Sequence, residues 1–238
     1  MGKYLIKRCK LKPDLIDLES RSDVSTMPLP VVSGDGDGAY RRYFKRLLDA
    51  MIVLLAALPA GALIGVLALL VACDGHNPFY RQPRVGRNGR IFSMWKLRTM
   101  VPAAESVLEA YLASSPAARA EWAHHQKLRH DPRVTPIGRI LRRTSLDELP
   151  QLWNVARGEM SIVGPRPIMK SQTGLYPGVE YYLLLPGITG FWQTSERNAT
   201  SFHERAHFDR AYFHRLSFIT DIRIILRTFA VVLRATGQ

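Results

Sequence analysis

The densest cluster of polar residues in the chain is the run LRRTSLDELP at residues 141–150. Two adjacent carboxylates, here Asp147 and Glu148, can hold a magnesium ion together with an anionic ligand, and arginines beside them attract phosphate. An aspartate can also attack phosphorus directly and form an acyl phosphate. The run therefore contains the residue types that phosphoryl chemistry requires.

The same residues also have a purely structural interpretation. Pro150 is tolerated only in the first turn of a helix, so Asp147 could be the N-cap of a helix through QLWNVA that stops at Gly158. Alternatively, Ser145 caps the helix and Glu148, three residues later, completes a capping box. The spacing alone leaves the chemical and the capping interpretations open.

A second motif, SIVGPRP at residues 161–167, holds Arg166 between two prolines. A rigid loop of this kind is a good platform for a guanidinium that binds phosphate. The motif is also an ordinary exit from a strand into a turn, so it does not identify a phosphate site by itself.

Three blocks, in order along the chain, carry a resemblance to a known family: FYRQPRVGRNGRIFSMWKLRTM, LRRTSLDELPQLWNVARGEMSIVGPRP and PGITGFWQTSERN. In these blocks the sequence resembles the bacterial sugar transferases, which are monotopic phosphoglycosyl transferases that initiate exopolysaccharides and related glycans. The resemblance extends from about Tyr43 to the C-terminus. It is closest to the short, single-unit members, because no multi-helix membrane domain precedes the blocks.

The resemblance implies transfer of a sugar 1-phosphate from a UDP-sugar to undecaprenyl phosphate, with release of UMP and assistance from Mg²⁺. The family's acidic pair falls on Asp147 and Glu148, with Asp147 as the nucleophile of a covalent phosphosugar intermediate and both residues as metal ligands. The sugar is not specified, and galactose and glucose are the expected hexoses. The implied substrate-binding residues are Lys96, Arg98, Arg142, Arg166, Arg197 and Asp209.

A membrane segment precedes the blocks: residues 50–73 form a run of 24 residues without a charge. As a helix rising ~1.5 Å per residue, this run could cross a hydrocarbon core of about 30 Å. Arginines and lysines flank both ends, whereas a single crossing should show them on the cytoplasmic side only. With Pro59 in its middle, the segment is predicted to re-enter the leaflet it came from. A kinked single crossing is the alternative, since membrane helices tolerate proline.

The remaining elements place the motifs in a fold. The Asn88-Gly89 pair predicts the turn of a β-hairpin over residues 79–100. Residues 102–128 and 136–143 favour helix. The predicted fold class is α/β, mostly helical with a small hairpin. Its predicted parts are a disordered arm (1–40), the re-entrant helix (41–75), a cytosolic catalytic domain (76–201) and C-terminal amphipathic, interfacial helices (202–238).

Composition narrows the class of protein. With 47% hydrophobic residues, 17 glycines and 15 prolines, the chain is neither collagen-like nor wholly disordered. Its net charge of +13 favours anionic partners, and the expected ones are the UDP-sugar, undecaprenyl phosphate and anionic inner-membrane lipid, with no nucleic acid. We expect a bacterial inner-membrane protein whose catalytic domain faces the cytoplasm; a homo-oligomer is an open possibility.

Two other functions fit parts of the sequence. The run HERAH at residues 203–207 spells H-E-x-x-H, the motif of zinc proteases, although the longer pattern with a third histidine is missing. A non-enzymatic basic module that binds membranes or anions would explain the charge and the membrane segment. The second alternative leaves the acidic pair and Arg166 without a role.

Overall fold

The computed structural model describes residues 38–125, 128–195 and 204–233. The predicted disordered arm lies outside the described residues except for its last three. Gly38 and Ala39 are helical and lead into a short π-helical stretch, Tyr40–Phe44.

The first long element is helix α1, Lys45–Ala72, which continues the π-helical stretch. The combined stretch Tyr40–Ala72 is long and apolar enough to cross a membrane, and it is the one such helix among the described residues. Pro59 lies inside α1, whose helical backbone continues through it. Leu54 and Leu58 are 77% and 86% exposed, so the middle of α1 presents bare apolar side chains. In water that surface would be costly, and it is suited to lipid.

The predicted hairpin is confirmed. Strands β1 (Phe79–Val85) and β2 (Ile91–Leu97) pair antiparallel, with Val85 opposite Ile91 next to the turn. Asn88 and Gly89 both have positive φ, 58° and 73°, which is the backbone conformation that Asn-Gly turns supply at low cost.

Four helices and a short turn follow the hairpin. The predicted helix over residues 102–128 is divided in two, because Ser115 precedes Pro116 and takes an extended conformation. The helix predicted at 136–143 is confirmed. The elements are α2 (Ala104–Ser114), α3 (Pro116–His125), α4 (Pro136–Thr144), a 3₁₀ turn (Leu146–Glu148) and α5 (Gln151–Ala156).

A second small sheet was not predicted. Strands β3 (Ser161–Val163) and β4 (Gly187–Thr189) pair parallel. A Cβ on Gly164, directly after β3, would lie 2.3 Å from the carbonyl oxygen of Leu185, so this approach requires glycine. The fold is mostly helical with two small sheets. The other elements are a 3₁₀ helix (Lys170–Leu175), α6 (Glu180–Leu183), α7 (Arg205–Arg215) and α8 (Phe218–Leu233).

The main hydrophobic core joins the C-terminal helices to the rest of the chain. Tyr212 and Phe213 of α7 and Ile224 of α8 are buried in the same cluster as Met94 of β2 and Val163 of β3. The segment predicted as C-terminal amphipathic helices therefore contributes one face of each helix to the common core.

The carboxylate of Asp221, on α8, is the centre of a buried polar network. One carboxylate oxygen accepts hydrogen bonds from the Tyr40 hydroxyl and the Lys45 ammonium group, both at 2.7 Å, and the other accepts one from Tyr212 at 2.7 Å. Asp221 is 1% exposed and Lys45 is 8% exposed. This network fastens the start of α1 to α7 and α8.

A second carboxylate, Asp49, fastens α1 to β3. It accepts hydrogen bonds from the Ser161 hydroxyl at 3.0 Å and the Ile162 amide at 2.9 Å. Arg46, one turn earlier, donates to the carbonyl oxygens of Val155 and Met160. The first two turns of α1 are thereby held in one register against α5 and β3.

The other end of α1 is fastened to the same body of the protein. Arg98, just after β2, donates to both carboxylate oxygens of Asp74 at 2.6 Å and to the Val71 carbonyl at 3.1 Å. Val71 also packs against Leu97 and Leu141. Both ends of the apolar helix are therefore held by the domain that carries the hairpin and α5.

Replacing Asp221 tests this network. Asp221→Asn keeps the shape of the side chain but removes the ion-pair partner of the buried Lys45 ammonium group. We expect the free energy of unfolding to fall by about 3–5 kcal/mol. The measurement is thermal unfolding in detergent, followed by circular dichroism.

Glu109→Gln is the matched control, since Glu109 is exposed on α2 and its change should be nearly neutral. Equal melting temperatures for Asp221→Asn and Glu109→Gln would contradict the role assigned to Asp221.

Candidate active site

The acidic pair lies in the turn between α4 and α5. Ser145 ends α4 with a left-handed backbone, φ 58°, and its side chain makes no capping hydrogen bond. The N-cap of α5 is Pro150, which has no side-chain cap either. Both capping predictions are therefore wrong. Asp147 and Glu148 occupy the 3₁₀ turn itself, and their carboxylates are not used to close a helix end.

Lys96 of β2 lies between the two carboxylates. Its Nζ atom is 2.7 Å from Oε1 of Glu148 and 3.6 Å from Oδ2 of Asp147. Asp147 is buried, and this burial raises its pKa. Lys96 lowers that pKa, Glu148 raises it, and Arg142 lowers it. Asp147 is thus a desolvated carboxylate kept beside two cations, which is the setting of an activated nucleophile.

Arg142 supports the site from the last turn of α4. Its Nε atom donates to the Thr99 hydroxyl at 2.9 Å. Burial lowers the pKa of Arg142, and the negative charge of Asp147 raises it. The predicted grouping of Lys96, Arg142, Asp147 and Glu148 is present in the structure.

Arg166 reaches the same site from the loop after β3, where its Nη2 atom is 3.7 Å from Oε1 of Glu148. Glu148 and Arg166 open onto a cleft between the hairpin and β4. The cleft is lined by Arg84, Met94, Glu148, Gln151, Arg166, Pro167, Gly187 and Ile188.

Two further arginines beside this cleft were not predicted. Arg84 donates to the Pro167 carbonyl at 3.3 Å and so holds the loop that carries Arg166. Burial and the nearby charges of Arg166 and Arg205 lower the pKa of Arg84 to about 10. Three guanidiniums crowded in this way favour binding of an anion, because an anion relieves their mutual repulsion.

Trp192 lies between two of these arginines. The guanidinium of Arg205 is 5.2 Å from the centre of its ring, and that of Arg166 is 5.9 Å away. In the sequence, the position of Arg84 next to Pro83 in the hairpin block could have indicated a functional residue. Nothing in the sequence indicated such a role for Arg205, which lies within the H-E-x-x-H run.

The other predicted substrate-binding residues have different surroundings. The guanidinium of Arg98 contacts the 71–77 loop rather than the acidic pair. Asp209 lies on α7, buried, and accepts a hydrogen bond from the Tyr176 hydroxyl. Arg197 lies outside the described residues. A substrate contact for Arg98, Arg197 or Asp209 remains a prediction.

The predicted magnesium site is consistent with the donor set. Magnesium keeps several waters and shares phosphate oxygens, so it needs only one or two carboxylates from the protein. Asp147 and Glu148 are neighbours on one turn, and Glu148 faces the cleft. These two carboxylates fit a magnesium ion held jointly with a diphosphate.

The zinc-protease interpretation gains no support. Within the described parts of the chain, no three His, Cys, Asp or Glu side chains lie close enough to share a metal. Glu204 and His207 belong to the start of α7, and His203 lies outside the described residues.

An acidic pair with a buried aspartate lies beside an arginine-lined cleft, in a domain that holds both ends of a membrane-type helix. This combination indicates a membrane-associated enzyme suited to phosphoryl groups. Residues 40–235 match the family described as bacterial sugar transferase. The chain belongs to this family.

Relatives of this chain carry names that specify reactions. It is 47% identical over 201 residues to "UDP-galactose-lipid carrier transferase" of Erwinia amylovora, covering 82% of this chain and 42% of that protein. It is 43% identical to "Exopolysaccharide production protein ExoY" of Sinorhizobium fredii, covering 82% and 87%. It is 34% identical to "UDP-glucose:undecaprenyl-phosphate glucose-1-phosphate transferase" of Escherichia coli, covering 89% and 44%. The chain thus spans less than half the length of the E. amylovora and E. coli relatives.

The burial of Asp209 predicts a pH dependence of stability. Burial raises the pKa of Asp209 from 3.8 to about 6. The native state therefore binds a proton more readily than the unfolded state between these values, and stability falls as pH rises from about 4 to above 6. The shift corresponds to roughly 3 kcal/mol.

Asp209→Asn should remove this slope, because asparagine does not titrate and still accepts the Tyr176 hydrogen bond. The measurement is the melting temperature of the parent and variant at several pH values between 4 and 7.5. We expect the variant's melting temperature to gain on the parent's as pH rises. A constant difference across this range would show that Asp209 does not titrate there.

Proposed function

We propose that this protein transfers a sugar 1-phosphate from a UDP-sugar to undecaprenyl phosphate, the first membrane step of exopolysaccharide synthesis. In the first half-reaction, a carboxylate oxygen of Asp147 attacks the phosphorus that bears the sugar. The bond from that phosphorus to the bridging oxygen breaks, and UMP leaves. In the second, a phosphate oxygen of undecaprenyl phosphate attacks the same phosphorus. Asp147 is released, and the product is the sugar diphosphate of the lipid.

The observation that carries this proposal is the state of Asp147. Its carboxylate is buried, closes no helix end and lies 3.6 Å from the Lys96 ammonium group. Desolvation makes a carboxylate more nucleophilic and raises its pKa, and the charges of Lys96 and Arg142 act to lower that pKa. Glu148 accepts a hydrogen bond from the Lys96 ammonium group and lines the cleft. It therefore lies between Asp147 and the arginines of the cleft.

The arginines of the cleft suit the diphosphate of the donor. Phosphoryl transfer needs positive charge around the phosphate oxygens, where negative charge is spread in the transition state. Arg166 lies 3.7 Å from the carboxylate of Glu148. Arg84 donates a hydrogen bond to the carbonyl oxygen of Pro167, in the loop that carries Arg166. A bound magnesium ion, held by Asp147 and Glu148, would neutralise further phosphate charge.

The re-entrant path of α1 is part of the proposal. Arg46 and Asp49 fasten one end of the helix to α5 and β3, and Arg98 fastens the other end at Asp74. These polar contacts involve one domain, and a helix that crossed the membrane once would separate its ends by the whole bilayer. Contact of both ends with the same domain therefore supports entry and exit on one side, the cytoplasmic side.

The sugar proposed for the first test is galactose. The name of the E. amylovora relative, 47% identical, specifies UDP-galactose, whereas that of the E. coli relative, 34% identical, specifies UDP-glucose. A single hydroxyl separates these hexoses in configuration, so both donors belong in the assay.

Asp147→Asn tests the nucleophile. The amide cannot form the acyl phosphate, so UMP release from UDP-galactose or UDP-glucose should fall by about 10⁴-fold or more. The assay contains detergent-solubilised protein, magnesium and undecaprenyl phosphate. With donor radiolabelled in the sugar and no acceptor, the parent should also retain label that hydroxylamine releases, since hydroxylamine cleaves acyl phosphates.

The control is Glu109→Gln, which makes the same change from carboxylate to amide at an exposed position of α2 outside the site. Glu109→Gln should keep most of the activity. UMP release by Asp147→Asn at the rate of the control would exclude Asp147 as the nucleophile.

Cysteine labelling tests the re-entrant path. In a background with Cys9→Ser and Cys73→Ser, single cysteines are introduced as Gly38→Cys and His76→Cys, both at exposed positions on either side of α1. We expect a membrane-impermeant maleimide to label both in inside-out vesicles and neither in right-side-out vesicles.

Leu58→Cys is the control for lipid burial, because this position should be unlabelled in either vesicle and labelled after solubilisation. Labelling of the two flanking cysteines in opposite vesicle preparations would replace the re-entrant path with a single crossing. That result would leave the chemistry at Asp147 unaffected.

A further inference from the structure

A second cleft lies beside the segment after β4 and shares no lining residue with the cleft next to the acidic pair. It has a volume of about 150 Å³ and is lined by Phe191, Arg215, Thr220, Arg223, Ile224 and Arg227. Phe191 follows β4, Arg215 ends α7, and the other residues belong to the first three turns of α8. The cleft contains no residue of the proposed active site.

The side chains that line this cleft carry a net positive charge. The lining includes three arginines and no acidic residue. Throughout the described residues, none of the three guanidiniums forms an ion pair with a carboxylate. Like charges around one opening repel each other, and a phosphate between them would accept hydrogen bonds from more than one guanidinium.

The position of α8 relates the cleft to the membrane surface. Asp221, in the first turn of α8, is bonded to Lys45, the first residue of α1. The first turns of the two helices therefore lie side by side, where the apolar segment begins. A headgroup phosphate of the surrounding bilayer would lie at this level.

The distribution of side chains around α8 also suits the membrane surface. The helix buries Asp221 and Ile224 in the core. At about 100° per residue, Arg223 and Arg227 lie between this buried face and an exposed apolar face. Arginines at the edge of an apolar face are typical of a helix in the membrane interface. The exposed apolar side chains are Phe218, Ile219, Leu226 and Phe229.

We propose that this cleft binds the headgroup phosphate of an anionic phospholipid. The three guanidiniums hold the phosphate, and Phe191 contacts the apolar part of the lipid. Bound lipid then joins α7, α8 and the segment after β4 at the membrane surface. The occupant is a bilayer lipid rather than the polyprenyl acceptor, because the cleft shares no lining residue with the cleft beside the acidic pair.

The test compares lipids on the full-length protein in detergent. Phosphatidylglycerol should raise the melting temperature of the parent by several degrees more than phosphatidylcholine does. The double variant Arg223→Gln/Arg227→Gln should lose at least half of this difference. Both residues are exposed, so the variant should fold like the parent.

Arg139→Gln/Arg143→Gln is the matched control, since these exposed arginines have the same spacing on α4 and the same charge is lost. The control should keep the response to phosphatidylglycerol. An equal response in the parent and in Arg223→Gln/Arg227→Gln would overturn the proposal, and so would an equal loss in both double variants.

A third arm separates the two lipids. The KM for undecaprenyl phosphate, measured by UMP release in detergent without phospholipid, should be the same for the parent and Arg223→Gln/Arg227→Gln. A raised KM with an unchanged response to phosphatidylglycerol would mean that the cleft holds the acceptor instead. The melting experiments do not depend on turnover, so failure of the proposed function would be recognised separately.

Discussion

The buried carboxylate of Asp221 joins the apolar helix to the rest of the fold, and the position of the site follows from it. Asp221 accepts hydrogen bonds from Tyr40 and Lys45 on one side and from Tyr212 on the other. The Tyr212 hydroxyl oxygen also lies 3.2 Å from the carbonyl oxygen of Val163 in β3. β3 leads directly into the loop that carries Arg166, so one buried charge links the start of α1 to the side of the site where Arg166 lies.

Apolar packing alone would not fix the position of α1 relative to the site. After Asp49, α1 carries only apolar residues. Apolar contacts are non-directional, so by themselves they would let the helix slide or rotate against the domain at little cost. Hydrogen bonds to Asp49 and Asp221 fix one register, since a shift of a single residue would bury unpaired charges. Burying these charges stabilises little by itself. We interpret them as the means by which a featureless membrane helix is held in one orientation.

Short sequence patterns were sufficient to predict much of the fold. The Asn-Gly turn predicted the hairpin, and the uncharged run predicted α1, because each depends on neighbouring residues. The β3–β4 pair was missed because three-residue strands show no periodicity, and their pairing joins residues that are distant in the chain. The capping predictions failed because Ser145 takes a left-handed backbone, which propensity does not favour for serine.

The sequence likewise predicted some residues of the site and missed others. The acidic pair and Arg166 were identified from their motifs, and Lys96 and Arg142 from the family resemblance. The structure brings these residues together. Arg84 and Arg205 were missed, since their meeting at Arg166 depends on how the hairpin and α7 pack. Asp49 and Asp221 carried no signal either, because a single acid on an amphipathic helix looks like an exposed one until its burial is known.

The placement of the acidic turn suits a reaction between a soluble donor and a lipid acceptor. Leu146, directly before Asp147, packs in the cluster formed by Val71, Leu97 and Leu141, which includes the last turn of α1. Glu148, directly after it, lines the arginine cleft. Asp147 therefore lies between the last turn of α1 and the arginine-lined cleft. On the proposed function, a covalent intermediate at Asp147 lets each substrate approach from its own phase, so the two never need to be bound together.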